Sequence, residues 1–161
     1  MLRAIYYFRA MGKLHIEQQV TINASSDEVW AVFANFQAYH EWSPTVRFLA
    51  SAPEVGKSIT VLLQQPNGKR MTMHPKVLRL SANKELRWRG RLFLPGIFDG
   101  EHYFMLKPLA NGTTEFIQGE YFSGILVPFL RKMILGPTQE GFRAFNYALK
   151  KRVEEQEKVD L

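Results

Sequence analysis

The chain contains no cysteine, which removes disulfides, thiolate metal ligands and cysteine nucleophiles together. That lack fits a reducing, cytoplasmic setting. No apolar run approaches the roughly 20 residues needed to cross a bilayer as a helix. No block of five like charges occurs, although 21 Lys and Arg against 15 Asp and Glu give a net charge of +6. The two signs are interspersed, which argues against nucleic acid as the partner. His15, His40 and His74 are scattered without HxH or HExxH spacing, so no metal is expected. GxGxxG, P-loop and GxSxG patterns are missing as well. Nucleotide-cofactor and serine-hydrolase readings fail on residues, and no cofactor is expected.

What is present is aromatic. Twelve Phe and six Tyr in 161 residues supply a roomy interior for one domain with a core and a pocket. Residues 13–157 are expected to form that domain, with 1–12 as an N-terminal extension. The segment Met1 to Gly12 carries Arg3 and Arg9 beside Ile5, Tyr6 and Phe8. It lacks the apolar stretch and small-residue cleavage site of a secretory signal. A loosely docked extension, or a start at Met11, is the expected reading; an interfacial membrane anchor is the alternative.

Leu14 to Asn23 alternates apolar and polar residues, as a half-buried strand does. Ser25-Ser26-Asp27-Glu28 reads as a capping box opening a helix. Val29, Trp30, Val32, Phe33 and Phe36 supply its buried stripe. A short second helix over Phe36–Glu41 ends before Pro44. Turn signals then divide the middle into six strands: Val46–Ala52, Ser58–Gln65, one from Arg70 to the turn at Ser81–Lys84, Glu85–Leu94, Glu101–Pro108 and Thr113–Ser123. Asn67-Gly68 suggests a type I′ hairpin, and Pro95-Gly96 with Asp99-Gly100 brackets a loop. Phe142, Phe145, Leu149 and Val153 recur at helical spacing in the last segment. Pro137 is expected to kink or split that helix. The order β-α-α-β6-α is that of an α+β helix-grip fold: a curved antiparallel sheet wrapped around a long C-terminal helix, able to enclose an apolar cavity.

Particular residues agree. Asn35-Phe36-x-x-Tyr39-x-x-Trp42-x-Pro44, Glu85-Leu86-x-Trp88-x-Gly90, His102-x-Phe104-x-Leu106, Gln118-x-Glu120-x-Phe122-x-Gly124 and Gly141-Phe142…Asn146-x-x-Leu149-Lys150 resemble the SRPBCC (START-like, Bet v 1-like) superfamily. Its polyketide cyclase/dehydrase-type members look closest. The resemblance implies a hydrophobic cavity between sheet and C-terminal helix that binds lipids, sterols, polyketides or other apolar molecules. Some similar proteins are cyclases and many are carriers.

Period-two alternation assigns faces. Leu86, Trp88, Gly90 and Leu92 share one face of their strand, and Arg87, Arg89 and Arg91 the other. Met71 and Met73 fall in an apolar row. His102 with Phe104 and Leu106, and Gln118 and Glu120 between Phe116 and Phe122, put three polar groups on the apolar surface. A carboxylate there must be paired or protonated. His102 and Glu120 are therefore the candidate acid–base pair, or with Gln118 the polar anchor of a ligand. Trp42, Met73, Trp88, Phe104 and Phe142 are the candidate apolar contacts. The arginine row is read as a solvated outer face with Glu85 and Glu101 as counter-charges, its alternative being an anion-binding stripe. The expected partner is a small apolar or amphipathic ligand. The rival readings are a cyclase/dehydrase-type enzyme and a peripheral lipid-transfer protein that meets membrane through residues 1–13 and the arginines.

Overall fold

In a computed structural model, residues 4–7, 12–50 and 52–156 are described. Strands β1 (Ala4–Tyr7) and β2 (Lys13–Ile22) lead into α1 (Ser26–Phe33), a 3-10 turn at Phe36–Ala38 and the single-turn α2 (Tyr39–Trp42). Strands β3 (Val46–Phe48), β4 (Val61–Gln64), β5 (Arg70–Met73), β6 (Lys76–Ser81), β7 (Glu85–Leu92), β8 (Phe98–Pro108) and β9 (Thr114–Ser123) follow. Helices α3 (Val127–Met133) and α4 (Gln139–Gln156) close the chain. Six strands pair antiparallel in the order β1-β2-β9-β8-β7-β6, and β3-β4-β5 make a second, smaller sheet. Together they curve around α4, as a helix-grip fold does.

Local chemistry explains these elements. Ser25 caps α1 and Glu28 returns the bond to the Ser25 amide, so the capping box is complete. Val29 and Phe33, one turn apart, are wholly buried. Phe142, Phe145, Leu149 and Val153 point from α4 into the sheet and are buried. Side chains on adjacent turns also tie the helix to β2: Asn146 Nδ2 donates to the Gln18 carbonyl at 3.2 Å and Lys150 Nζ to the Thr21 carbonyl at 2.8 Å. Pro137 divides the helical run, as expected from the sequence, with α3 ending at Met133 and α4 starting at Gln139. It lies in a wide, π-type turn over Ile134–Thr138 that links α3 to α4.

Four expectations are corrected. Ala4–Tyr7, placed by sequence in a loosely docked extension, pairs in register with Gln18 to His15 as an edge strand. The strand expected from Arg70 to Ser81 is two, because Pro75 has no amide to give the ladder; β5 ends at Met73 and β6 joins the other sheet. The hairpin at Asn67-Gly68 is not type I′: only Gly68 takes positive φ, at 84°, since Pro66 in the same turn is held at negative φ. Asp99 and Gly100 belong to β8 rather than to a turn, and the connection is the shorter segment Phe93–Ile97.

Register arranges the concave face in rows. Leu86, Phe104, Gln118 and Gln18 stand opposite one another across β7, β8, β9 and β2. The next row is Trp88, His102, Glu120 and Ile16, and the next Gly90, Gly100, Phe122 and Leu14. One apolar cluster gathers around Phe33, Phe104, Phe116, Phe145 and Leu149. A second holds Leu14, Ile16, Phe98, Phe122, Ile134 and Phe142. The polar residues Gln18, Gln118, His102 and Glu120 run between them.

Candidate functional site

A cavity of about 520 Å³ opens where the polar row meets the glycine row, covered by α3, the π-type turn and the start of α4. Its size lies within the range of small-molecule sites. Six of the eight residues singled out by sequence line it: Met73, Trp88, His102, Gln118, Glu120 and Phe142. The other two do not. Phe104 is 1% exposed and packed between Phe33 and Phe145 at centroid distances of 5.1 and 5.4 Å. Trp42 packs on Tyr39 and Phe145 at 4.7 and 5.3 Å. Both are core. Alternation identifies the inward face, but it cannot say whether the space above a residue is filled by a helix or left open.

The space is made by residues with no side chain. Gly90 and Gly100 are direct cross-strand partners on the floor. A Cβ at Gly90 would approach Met73 Cε to 2.8 Å, and a Cβ at Gly100 would collide with the Glu120 carboxylate. Gly100 therefore lets the Glu120 side chain lie across β8. A sequence signal for this existed in the inward parity of Gly90. At Gly100 the Asp-Gly pair imitates a turn and hides it.

Strands β8 and β9 bring the polar groups together because His102 and Glu120 are register partners. His102 Nδ1 lies 3.5 Å from Glu120 Oε2, and Gln118 Nε2 donates to His102 Nε2 at 3.1 Å. With that amide orientation the proton of a neutral imidazole sits on Nδ1, facing the carboxylate. Gln118 Oε1 has no hydrogen-bond partner among the described residues. The imidazole is itself held in an aromatic cage of Phe104, Phe142 and Trp88 at 4.5, 4.9 and 5.2 Å. A fixed ring with one nitrogen on an amide and the other on a carboxylate can hold a polar ligand atom or move a proton.

The other face of the same strands is electrostatically closed. Arg87 bonds Glu85 and Glu101 at 2.7 and 2.9 Å, Arg89 bonds Glu101 at 2.6 Å, and Arg91 meets Asp99 at 3.3 Å. The arginine row thus has its counter-charges in place. Burial pushes the Glu101 carboxyl up, but hydrogen bonds from Arg89 and Arg87 outweigh it and hold the group below the usual carboxylate range. Next to it, Tyr103 Oη donates to Glu17 and meets His15 Nε2 at 2.8 Å. Burial, with the nearby carboxylate, raises the Tyr103 phenol well above its ordinary value, so it is a donor and not an acid.

A curved sheet closed by a terminal helix over an apolar cavity with one polar cluster defines a START-like, helix-grip protein. The chain belongs to the family described as polyketide cyclase / dehydrase and lipid transport, which it matches over residues 13–154. No curated protein matches it in sequence. Among solved structures it is similar to the Zhui aromatase/cyclase from Streptomyces sp. R1128, at 19% identity and a TM-score of 0.68, covering 89% of this chain and 95% of that one. A START superfamily protein from Mycobacterium smegmatis gives 19% identity and a TM-score of 0.65, over 88% and 98% of the two chains. A protein from Arthrobacter aurescens gives 16% and 0.68, over 88% and 86%. At such identities these likenesses establish the fold.

Proposed function

We propose that this protein binds a small hydrophobic or amphipathic molecule in the cavity between sheet and α4. One observation carries the reading: the cavity is walled mainly by apolar side chains, and His102, Gln118 and Glu120 converge on one another within it. Apolar burial, at about 25 cal/mol per Å², supplies the affinity. Gln118 Oε1, His102 and Glu120 orient a single hydroxyl, carbonyl or amide of the ligand at the cavity floor. Mass spectrometry of small molecules released from the purified protein should show an apolar compound. Fluorescence titration with 1-anilinonaphthalene-8-sulfonate checks the place. Met73→Trp, which fills the cavity from its wall, should abolish the signal in a folded protein. Probe binding that ignores this substitution overturns the assignment.

The His102–Glu120 pair favours a second reading, a cyclase- or dehydrase-type activity with that pair as acid and base. Support comes from the geometry and from the aromatase/cyclase named above. In this reading Glu120 takes a proton next to a ligand carbonyl while the His102 Nδ1–H hydrogen-bonds the developing oxyanion, and the protonated Glu120 then delivers that proton to the oxygen. Turnover of an aromatic polyketide surrogate that depends on both residues distinguishes it from simple binding.

A further inference from the structure

Beside the cavity mouth the surface reverses ordinary burial. Phe93 is 81% exposed, Leu94 69%, Ile125 68% and Phe129 82%. Two short segments bring them together. Ile125 and Leu126 amides donate to the Gly96 and Ile97 carbonyls at 3.1 and 3.0 Å, which fixes the β7–β8 connection against the entry to α3. Phe93 holds φ at +69°, a left-handed conformation that an aromatic residue adopts only at a cost. It is therefore disfavoured twice, by backbone and by exposure. Isolated exposed apolar residues need no explanation, but a cluster of four large ones does.

Charge says what covers it. Residues 86–98 and 121–139 contain no Asp or Glu, and neither do residues 55–84, whose β4–β5 hairpin forms the opposite rim with Lys69 and Arg70. Lys132 lies at helical spacing from Ile125 and Phe129, on the same exposed side of α3. Arg70 bonds neutral Gln64. The adjacent acid, Asp99, is taken by Arg91 and the Gly96 amide. On the neighbouring stripe of α3, Leu126, Leu130 and Met133 line the cavity, so apolar surface continues from the tip inward.

We infer that this tip is a docking surface for an anionic lipid bilayer, with Phe93, Leu94, Ile125 and Phe129 entering the interface and Lys69, Arg70 and Lys132 at headgroup level. The helices of the described residues do not span a membrane; the contact is peripheral and reversible. It would load or deliver the apolar ligand of the proposed function without passage through water, but the docking itself does not depend on that reading. Neither the arginine row, already neutralised, nor residues 1–13 are needed.

The test is flotation of the full chain with vesicles of phosphatidylcholine alone and of phosphatidylcholine with phosphatidylserine. Binding is expected only to the anionic vesicles and should weaken as salt shortens the screening length. Leu94→Ser with Phe129→Ser, both off the cavity lining, should lower partitioning by about tenfold or more. Lys132→Glu should lower it by at least about fivefold. All variants should still bind the fluorescent probe in the cavity, which shows that they fold and separates this result from the ligand assignment. Failure to float with anionic vesicles overturns the proposal and leaves an acidic protein partner. Salt-sensitive binding that ignores Leu94→Ser and Phe129→Ser overturns it too, because charge alone would then suffice.

Discussion

The concave face has two halves built from the same strands, and they differ in what stands two residues further along. On β8, Phe104 is sealed under Phe33 and Phe145, His102 is at the cavity's edge, and Gly100 is its floor. On β7 the sequence is Leu86, Trp88, Gly90; on β9 it is Phe116, Gln118, Glu120. Side-chain volume falls on the last step of β7 and β8, from Trp88 and His102 to Gly90 and Gly100, while β9 sets Gln118 and Glu120 beside them before Phe122 restores an aromatic. The filled half holds α4 to the sheet. The open half can then tolerate two glycines, a carboxylate and a histidine, all of which cost stability or give little. Stability and binding are separated by one or two rungs of a ladder.

The sharpest way to break this comparison is to truncate the filled half. Phe145→Ala removes a fully buried ring touching Phe104, Phe116, Tyr39 and Trp42. A loss of about 3–5 kcal/mol in urea unfolding is expected. Met73→Ala, in the open half, should cost less than about 1.5 kcal/mol and show instead as weaker probe binding. Equal losses at the two sites would show that the cavity is as tightly packed as the core.

Glu120→Gln addresses the polar strip between the halves. It preserves shape and removes the charge and the acid–base capacity. If the pair only anchors a ligand, probe or ligand affinity should shift modestly and stability should hold or rise. If the pair is chemical, turnover of a converted ligand should fall about 10²-fold or more while binding persists. His102→Gln reads the partner in the same assay.

The glycine floor is the next test. Gly100→Ala places a methyl group against the Glu120 carboxylate, so Glu120 must leave His102. About 1–3 kcal/mol of stability should be lost, along with any function of the pair. Gly90→Ala meets only the flexible end of Met73 and should cost well under that. Thermal unfolding of the two variants in parallel decides. Equal costs would mean that Glu120 is free to move and that Gly100 is not placed for it.

These contrasts also define what the sequence made legible. Alternation put His102, Gln118 and Glu120 inward, because a period of two survives any register. The capping box and the α4 stripe are local patterns and were readable for the same reason. Register is not local. Nothing within β8 or β9 says that His102 faces Glu120 rather than Gln118. Phe104 and Trp88 obey one parity rule, yet one lies under α4 and the other at the cavity, since the path of the helix decides. Gly100 was misread because Asp-Gly is a strong turn signal, and the competing reason for glycine there is a carboxylate from another strand. Pro75 was underweighted: it separates β5 from β6 and so sends them to different sheets.

The smallest expected effect sits on the opposite face of the sheet and sharpens the comparison by removing a background. His15 is stacked on Tyr121 at 4.1 Å and bonded to Tyr103. Burial lowers its pKa from the ordinary 6.5, and Glu17 opposes the shift only in part. The folded state therefore prefers the neutral ring, while the unfolded chain takes up a proton as pH falls through about 6.5. Stability contributed by His15 is complete above that pH and is lost as pH drops through the lower, folded value. Glu101 acts in the same direction, but its window begins below its ordinary 4.5, so the two separate. Because the ring is only partly buried, solvent screens the effect, and a decline in Tm on the order of 2 °C between pH 7 and pH 5.5 is expected. In His15→Gln that decline should flatten. If the variant keeps the full slope, the near-neutral pH dependence originates elsewhere, and the cavity residues must be titrated directly before any pH profile of binding is assigned to them.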